Sequence, residues 1–249
     1  MTDRFRVGAN LATLANGLLG VGAVLYTLAG NKPWAMLLVA MAIGFDGLDG
    51  LLSRRSPLPS SRFGRVADSV ADAVSFGVAP AVMLAVHTAD AGAWAPYELG
   101  LTIDAAGYLA AAIARLVYFT ARAHGLPYFR GVPTPESALA VIVLLLFHDV
   151  PGYATVEPIG TLVGGVVIAV MMLVPVRYPK VRRGSPMRLP STVTAGLAAA
   201  ALVPLQFRPA HASGLAWAAE LAAYGMLVGV ALYYVYGPFT VPSSDLPGG

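Results

Sequence analysis

Four aspartates lie close together in a stretch that is otherwise typical of membrane helices. Asp46 and Asp49 are spaced i, i+3, and Asp68 and Asp72 are spaced i, i+4, so each pair lies on one face of its own helix. Arginines, serines and prolines, including Pro57, separate the two pairs, which allows one helix to end and the next to return antiparallel. The four carboxylates are therefore expected to converge.

Carboxylates inside a membrane need a stabilising partner. One aspartate at the centre of a membrane helix costs roughly 2.5 to 3.5 kcal/mol, so four would cost on the order of 10 kcal/mol without cations. The chain has no cysteine, and its four histidines are scattered near predicted helix ends. A metal would therefore take carboxylate oxygens, which favours Mg²⁺, Mn²⁺ or Ca²⁺. Two such ions can clamp a diphosphate, and one carboxylate can also act as a base.

The same aspartates have a second interpretation, an ion-pair network with nearby arginines or a cation pathway in a transporter. A transporter is expected to show two related halves with interrupted helices at matching positions. The sequence has one acidic cluster and no second copy of it. The pattern therefore favours an enzyme with bound divalent ions over a cation-coupled membrane transporter.

The composition excludes an ordinary soluble domain, because 57% of the 249 residues are hydrophobic, 12% are charged and the mean hydropathy is +0.69. The pattern predicts an all-α polytopic membrane helix bundle forming one domain over residues 1–236, followed by a disordered tail over 237–249. The first apolar run is too long for a signal-peptide core, and we expect it to be retained. The eight predicted spans cover about residues 9–30, 33–52, 66–86, 99–120, 137–147, 159–176, 192–207 and 215–236.

The basic residues predict the orientation of these spans, since Lys and Arg favour cytoplasmic loops. With the N-terminus in the cytoplasm, fourteen of the sixteen Lys and Arg residues lie on that side, and only Lys32 and Arg208 lie outside. Both termini and the aspartate cluster are then expected on the cytoplasmic side. The net charge of +3 follows from these loops, which indicates contact with anionic membrane lipids and not nucleic-acid binding.

The stretch from Asp46 to Asp72 resembles the signature of the CDP-alcohol phosphotransferase family, DxxDGxxAR, then eight residues, then GxxxDxxxD. The matching positions are Asp46, Asp49, Gly50, Ser53, Arg54, Gly64, Asp68 and Asp72. Ser53 stands where alanine is usual, and nine residues instead of eight separate Arg54 from Gly64. The run from Asp68 to Pro80 is similar to a segment found in phosphatidylserine synthases.

This resemblance implies an enzyme that transfers a phosphatidyl group from CDP-diacylglycerol to a small alcohol and releases CMP. It implies two divalent metal ions, Mg²⁺ or Mn²⁺ with Ca²⁺ as a further option, and a homodimer. Asp46, Asp49 and Asp68 become metal ligands, and Asp72 becomes both a ligand and the general base. The implied residues that bind the CDP-lipid are Asn10, Thr13, Gly50, Ser53, Arg54 and Gly64.

Several of these residues also have a purely structural interpretation. Asn10, Thr13 and Asn16 form one polar stripe on the first predicted helix, and related enzymes have a similar NxxTxxN run beside the site. Such a stripe can equally supply hydrogen bonds between membrane helices. Gly50 and Gly64 admit a bulky ligand near the backbone, but glycine also serves helix packing in membranes.

The acceptor alcohol is predicted from a second resemblance, because residues 114–138 are similar to the phosphatidylserine synthase run RLARFN followed by FxGLPSP. Tyr118 and Thr120 depart from that run. It implies L-serine as the acceptor, with inositol phosphate, glycerol phosphate or another alcohol, and an archaeal ether lipid as donor, left open. The serine carboxylate would need a cationic partner. The candidate acceptor-binding residues are Ser75, which is i+3 from Asp72, and Arg115, Arg122 and Arg130.

Overall fold

The chain folds into a bundle of helices with one small sheet. The computed structural model describes residues 4–57, 61–90, 95–122, 128–146, 157–179, 225 and 228–241. The helices are α1 (Arg4–Leu28), α2 (Lys32–Ser53), α3 (Arg62–Asp72), α4 (Ala79–Asp90), α5 (Ala95–Arg122), α6 (Thr134–Leu146) and α7 (Glu157–Leu173). The strands are β1 (Tyr128–Arg130) and β2 (Arg177–Pro179), and residues 228–236 are also helical.

Three of the described helical stretches are long and apolar enough to cross a membrane, namely Arg4–Leu28, Lys32–Ser53 and Phe63–Val86. Thr134–Leu146 and Gly160–Leu173 are shorter apolar helices. These stretches confirm a helical membrane protein. Of the predicted spans, the one at 192–207 lies outside the described residues, and the one at 215–236 is described only at 225 and 228–236.

The first two helices form an antiparallel hairpin that brings the polar stripe of α1 to the aspartates of α2. The turn ends at Asn31, whose side chain accepts a hydrogen bond from the Trp34 N–H at 3.5 Å. Pro33 follows in the first turn of α2. Backbone N–H groups in the first turn have no partner within the helix, so the missing N–H of proline costs no hydrogen bond. α1 packs along α2, so residues early in α1 face residues late in α2.

A π-helical segment, Ala73–Val78, joins α3 to α4 directly after Asp72. The hydroxyl group of Tyr108 in α5 donates a hydrogen bond to the Phe76 carbonyl at 2.8 Å, which satisfies a backbone acceptor in this segment. The hydroxyl group of Ser75 donates to the Asn16 carbonyl at 2.7 Å. Two neighbouring helices therefore hold the π-helical segment in place.

The predicted span over 137–147 belongs to α6, which lies at the centre of the bundle. Within the described part of the chain it packs against α2, α4, α5, α7 and the π-helical segment. A helix that is apolar on all sides is typical of a buried position. Its buried residues are Thr134, Ser137, Ala138, Leu139, Ala140, Val141, Ile142, Val143, Leu145 and Leu146.

The sheet was not predicted from the sequence. β1 and β2 pair antiparallel, with Phe129 opposite Tyr178. Gly131 follows β1 with a φ of 72°, and its N–H donates to the Val176 carbonyl at 2.8 Å. A Cβ at this position would lie 2.8 Å from the Met172 carbonyl carbon, so both the dihedral angle and the close approach require glycine. The sheet thereby fixes the segment between α5 and α6 to the end of α7.

Regular structure continues beyond the predicted end of the folded domain at residue 236. Gly237–Thr240 form a 3₁₀ turn that contacts β2, so the expectation of disorder from residue 237 does not hold for these residues. Residues 242–249 lie outside the described part of the chain. Just before this turn, Tyr233 stacks on Tyr178 with ring centroids 5.3 Å apart, which holds the helix over 228–236 against the sheet.

Candidate active site

Three carboxylates meet where α2 faces α3. Asp46 comes from α2, and Asp68 and Asp72 come from successive turns of α3. One oxygen atom from each residue can be chosen so that all three lie within 4.8 Å of one another. Oxygens that share a cation at roughly 2.0 to 2.6 Å lie at most about 5 Å apart. The three side chains are half-buried, so the group fits a divalent cation by both donor chemistry and spacing.

Asp49 lies beside this group. Its carboxylate accepts a hydrogen bond from the hydroxyl group of Thr13, and it is close enough to Asp68 for the two charges to interact directly. The structure therefore brings all four aspartates to one place, with three in the tight group and Asp49 at its edge. The α1–α2 hairpin accounts for the contact with Thr13.

Asp72 is held by a buried side chain of α1. The Nδ2 of Asn16 donates to Asp72 Oδ1 at 2.9 Å, and Asn16 is fully buried. The Asn16 carbonyl in turn accepts the hydrogen bond from Ser75, which is also fully buried. Ser75 therefore does not face an incoming acceptor as predicted. The i, i+3 spacing does place Ser75 on the same side as Asp72, since both contact Asn16, but the Ser75 hydroxyl group is bonded to the backbone of α1.

A cleft of about 220 Å³ opens next to the aspartates. Asn10, Thr13, Ser53 and Gly64, which were predicted to bind the CDP-lipid, line it together with Asp49 and Asp68. The hydroxyl group of Ser61 accepts a hydrogen bond from the Gly64 N–H at 3.0 Å and caps α3 at this wall. The cleft therefore combines hydroxyl groups, amides and carboxylates from three helices.

Four further polar residues of this lining were missed by the sequence reasoning: Arg6, Ser56, Ser61 and Arg65. Arg6 is spaced i−4 from Asn10, and Arg65 is spaced i−3 from Asp68, so helical spacing places both near residues already singled out. From the sequence, they are two of the basic residues that predict the orientation of the spans. Two arginines in the lining make the cleft suitable for an anionic ligand.

Gly50 and Arg54 are not part of the lining, although both were predicted to bind the CDP-lipid. Arg54 follows the last residue of α2, and its guanidinium group lies over Gly50, since a Cβ on Gly50 would be 3.4 Å from Arg54 Nη1. Arg54 is also within electrostatic reach of Asp46. Arg54 therefore lies near the aspartates, although one extra residue separates it from Gly64.

The family of the chain follows from comparison with known proteins. Residues 6–177 match the family model described as CDP-alcohol phosphatidyltransferase. The chain belongs to this family. Its relatives include the CDP-diacylglycerol–serine O-phosphatidyltransferase of Helicobacter pylori, 29% identical over 180 residues that cover 70% of this chain and 72% of the relative.

Two other relatives extend the comparison. The archaetidylserine synthase of Methanothermobacter thermautotrophicus is 27% identical over 69% of each chain. The CDP-diacylglycerol–serine O-phosphatidyltransferase of Bacillus subtilis is 27% identical over 70% of this chain and 90% of its own. The chain is therefore a membrane transferase that moves a phosphatidyl group from a CDP-linked lipid to an alcohol, and the transporter interpretation of its aspartates is set aside.

The three arginines predicted to bind the acceptor of this phosphatidyltransferase have different surroundings. Arg115 is only 8% exposed, and its Nη1 donates to the hydroxyl group of Thr134 at 2.6 Å. Arg130 is exposed and donates to the hydroxyl group of Tyr118 at 3.2 Å. The side chain of Arg122 lies outside the described residues. Of the two arginines whose side chains are described, Arg115 is the buried one, within electrostatic reach of Asp72.

Proposed function

We propose that this phosphatidyltransferase uses CDP-diacylglycerol as donor and the hydroxyl group of L-serine as acceptor. The observation that carries the choice of serine is the buried guanidinium group of Arg115 within electrostatic reach of Asp72. A buried cation beside the reacting centre suits an acceptor that carries a carboxylate. The names of the relatives, which all specify a serine-derived product or a serine acceptor, support the same choice.

The aspartate group would hold the divalent ions, which we propose to be Mg²⁺ or Mn²⁺, with Ca²⁺ as the alternative. Asp46, Asp68 and Asp72 offer converging oxygens, and Asp49 adds a carboxylate at the edge. Bound divalent ions neutralise a diphosphate and stabilise a leaving phosphate. Carboxylates of this chain would otherwise repel the donor.

Asp72 is proposed as the general base. Its Oδ1 is fixed by the amide of Asn16, which leaves Oδ2 to take the proton of the serine hydroxyl group. The serine oxygen then bonds to the lipid-side phosphorus, and the bond between that phosphorus and the bridging oxygen breaks so that CMP leaves. Asn16 orients the base and does not react.

The cleft is proposed to bind the CDP group. Arg6 and Arg65 stand at its wall and would pair with the diphosphate oxygens, since guanidinium groups suit phosphate geometry. Asn10, Ser53 and Gly64 would contact the rest of the nucleotide. An archaeal ether lipid remains the alternative donor, because the CDP group that the cleft would recognise is common to both donors.

We also propose the orientation predicted from the sequence, with eight spans in one domain, both termini and the active site on the cytoplasmic side, and a homodimeric assembly. Because the chain has no cysteine, single cysteines report orientation cleanly. Ala29→Cys, in the exposed turn after α1, should react with an impermeant maleimide in intact cells. Thr2→Cys and Ser244→Cys should react only after permeabilisation, and the reverse result would overturn this orientation.

An acceptor screen tests the function directly. Purified protein with labelled CDP-diacylglycerol should release CMP when L-serine is added and should form a lipid that contains the serine. Inositol phosphate and glycerol phosphate are the comparison acceptors. CMP release with one of those and none with serine would refute serine as the acceptor and leave the family reaction in place.

A further inference from the structure

A second group of polar side chains lies next to the aspartates, and the mechanism above uses only Arg115 from it. Arg115 comes from α5, Glu136 from the first turn of α6 and Tyr233 from the helix over 228–236. Arg115 is within electrostatic reach of Glu136, Tyr233 and Asp72, and Glu136 is within reach of Asp46. Three separate elements therefore meet at the border of the proposed metal site.

Each of these three residues keeps one buried polar atom without a hydrogen-bond partner among the described residues. The atoms are the Arg115 Nε, the Glu136 Oε2 and the Tyr233 hydroxyl oxygen. Buried polar groups in native proteins are nearly always paired, and leaving one unpaired costs about 1 to 3 kcal/mol. Three such atoms in one place point to a ligand that completes them.

Two of the three side chains are already fixed in position. Arg115 is held by its bond to Thr134 and lies over the ring of Phe129, with Cζ 5.9 Å from the ring centroid. Tyr233 is stacked on Tyr178, whose hydroxyl group donates to the Tyr234 carbonyl at 3.2 Å. A preorganised group of this kind loses little freedom when a ligand binds.

The unpaired atoms define the charge pattern of that ligand. Arg115 Nε can only donate, and the charge of its guanidinium group favours an anionic oxygen, whereas Glu136 Oε2 accepts, and the charge of its carboxylate favours a cationic donor. A zwitterion satisfies both. A sugar phosphate would place its negative charge against Glu136, and an uncharged polyol would supply neither an anionic oxygen to Arg115 nor a cationic donor to Glu136.

We propose that Glu136 and Tyr233 bind the α-ammonium group of an amino-acid acceptor whose carboxylate is bound by Arg115. This inference rests on the proposed function, and it makes Glu136 the residue that selects an amino acid over other alcohols. The ammonium group donates to Glu136 Oε2 and to the Tyr233 hydroxyl oxygen. The acceptor's own hydroxyl group then remains free for Asp72.

The test compares Glu136→Gln with the unmutated enzyme on L-serine and on 3-hydroxypropanoate, which lacks the amino group. We expect Glu136→Gln to raise the KM for serine at least tenfold, with the KM for CDP-diacylglycerol changed less than twofold. Glu136→Asp, which keeps the charge, should recover part of the serine affinity. With 3-hydroxypropanoate, the unmutated enzyme should be at least tenfold less efficient than with serine, and Glu136→Gln should be no worse.

Tyr233→Phe provides a second variant, and Tyr236→Phe is its matched control because Tyr236 is 59% exposed on the same helix. Tyr233→Phe should raise the KM for serine severalfold, and Tyr236→Phe should leave it unchanged. A KM for serine within twofold of the unmutated value in both Glu136→Gln and Tyr233→Phe would overturn the inference while serine remains the acceptor. No serine-dependent CMP release by the unmutated enzyme would overturn the proposed function and this inference together.

Discussion

Replacing Gly20 with alanine is expected to lower activity strongly, although residue 20 is a full turn away from the residue that contacts Asp72. Gly20 lies where α1 meets the π-helical segment. A Cβ at this position would lie 2.6 Å from Ser75 Cα and 2.8 Å from Ser75 N. Carbon atoms in contact prefer about 3.5 to 4 Å, so α1 and the π-helical segment would have to separate by about 1 Å. Backbone atoms cannot rotate away as a flexible side chain does.

Moving these two elements apart would also displace the proposed base, Asp72. Ser75 bonds to the Asn16 carbonyl, and the Asn16 amide bonds to Asp72, so moving the segment moves Asp72 relative to Asp46. A misplacement of about 1 Å in a catalytic arrangement can cost about 100-fold in rate. We therefore expect kcat/KM to fall about 100-fold, equivalent to about 2.7 kcal/mol of transition-state stabilisation. Overpacking should also destabilise the fold by about 1 to 3 kcal/mol.

The assay measures CMP release from CDP-diacylglycerol at a temperature well below the unfolding transition of the variant, which thermal unfolding in detergent locates. Gly17→Ala is the matched control. It adds the same methyl group one turn earlier on α1, where the Cβ would lie 3.4 Å from Ala71 Cβ, an ordinary contact. Gly17→Ala should stay within threefold of the unmutated enzyme. If Gly20→Ala does so as well, the packing of the π-helical segment does not position Asp72.

Three further predictions address the metal, the base and the π-helical segment. Chelation should abolish turnover and Mg²⁺ or Mn²⁺ should restore it, because unneutralised carboxylates repel a diphosphate; full activity in excess chelator would contradict the metal proposal. Asp72→Asn should lower kcat at least 100-fold with little change in the KM for the donor, whereas Asp46→Ala should weaken donor binding as well; unchanged turnover in Asp72→Asn would place the base elsewhere. Tyr108→Phe should destabilise the fold by about 1 to 3 kcal/mol, because the Phe76 carbonyl loses its partner; an unfolding temperature equal to that of the unmutated protein would show that this bond contributes nothing.

The aspartate site could be predicted because its determinants are local. Helical spacing alone places Asp46 with Asp49 and Asp68 with Asp72, and a turn of limited length forces the two helices together. The contacts of Thr13 with Asp49 and of Asn16 with Asp72 follow from the polar stripe on α1. Each step uses regular periodicity over a few turns, which sequence shows directly.

The remaining features depend on departures from regular periodicity or on distant segments. The π-helical segment carries no marker that a 3.6-residue period would reveal, and the bond between Ser75 and the Asn16 carbonyl joins residues 59 apart in sequence. Three-residue strands such as β1 are too short to show an alternating pattern. Glu136 and Tyr233 are almost a hundred residues apart in sequence, so only the folded chain shows that their unpaired atoms are neighbours.

Helix α5 links the two sides of the proposed site. Tyr108 and Arg115 are seven residues apart on α5, hence on one face and about 10 Å apart along the helix axis. Tyr108 fixes α5 to the π-helical segment that follows Asp72. Arg115, two turns later on the same helix, is the proposed partner of the acceptor carboxylate. The position of α5 along its axis therefore sets the distance between the proposed base and the proposed anchor of the acceptor carboxylate. An acceptor one carbon longer than serine would place its hydroxyl group differently relative to Asp72, so this spacing, together with Glu136, would select for the length of the acceptor as well as for its charge.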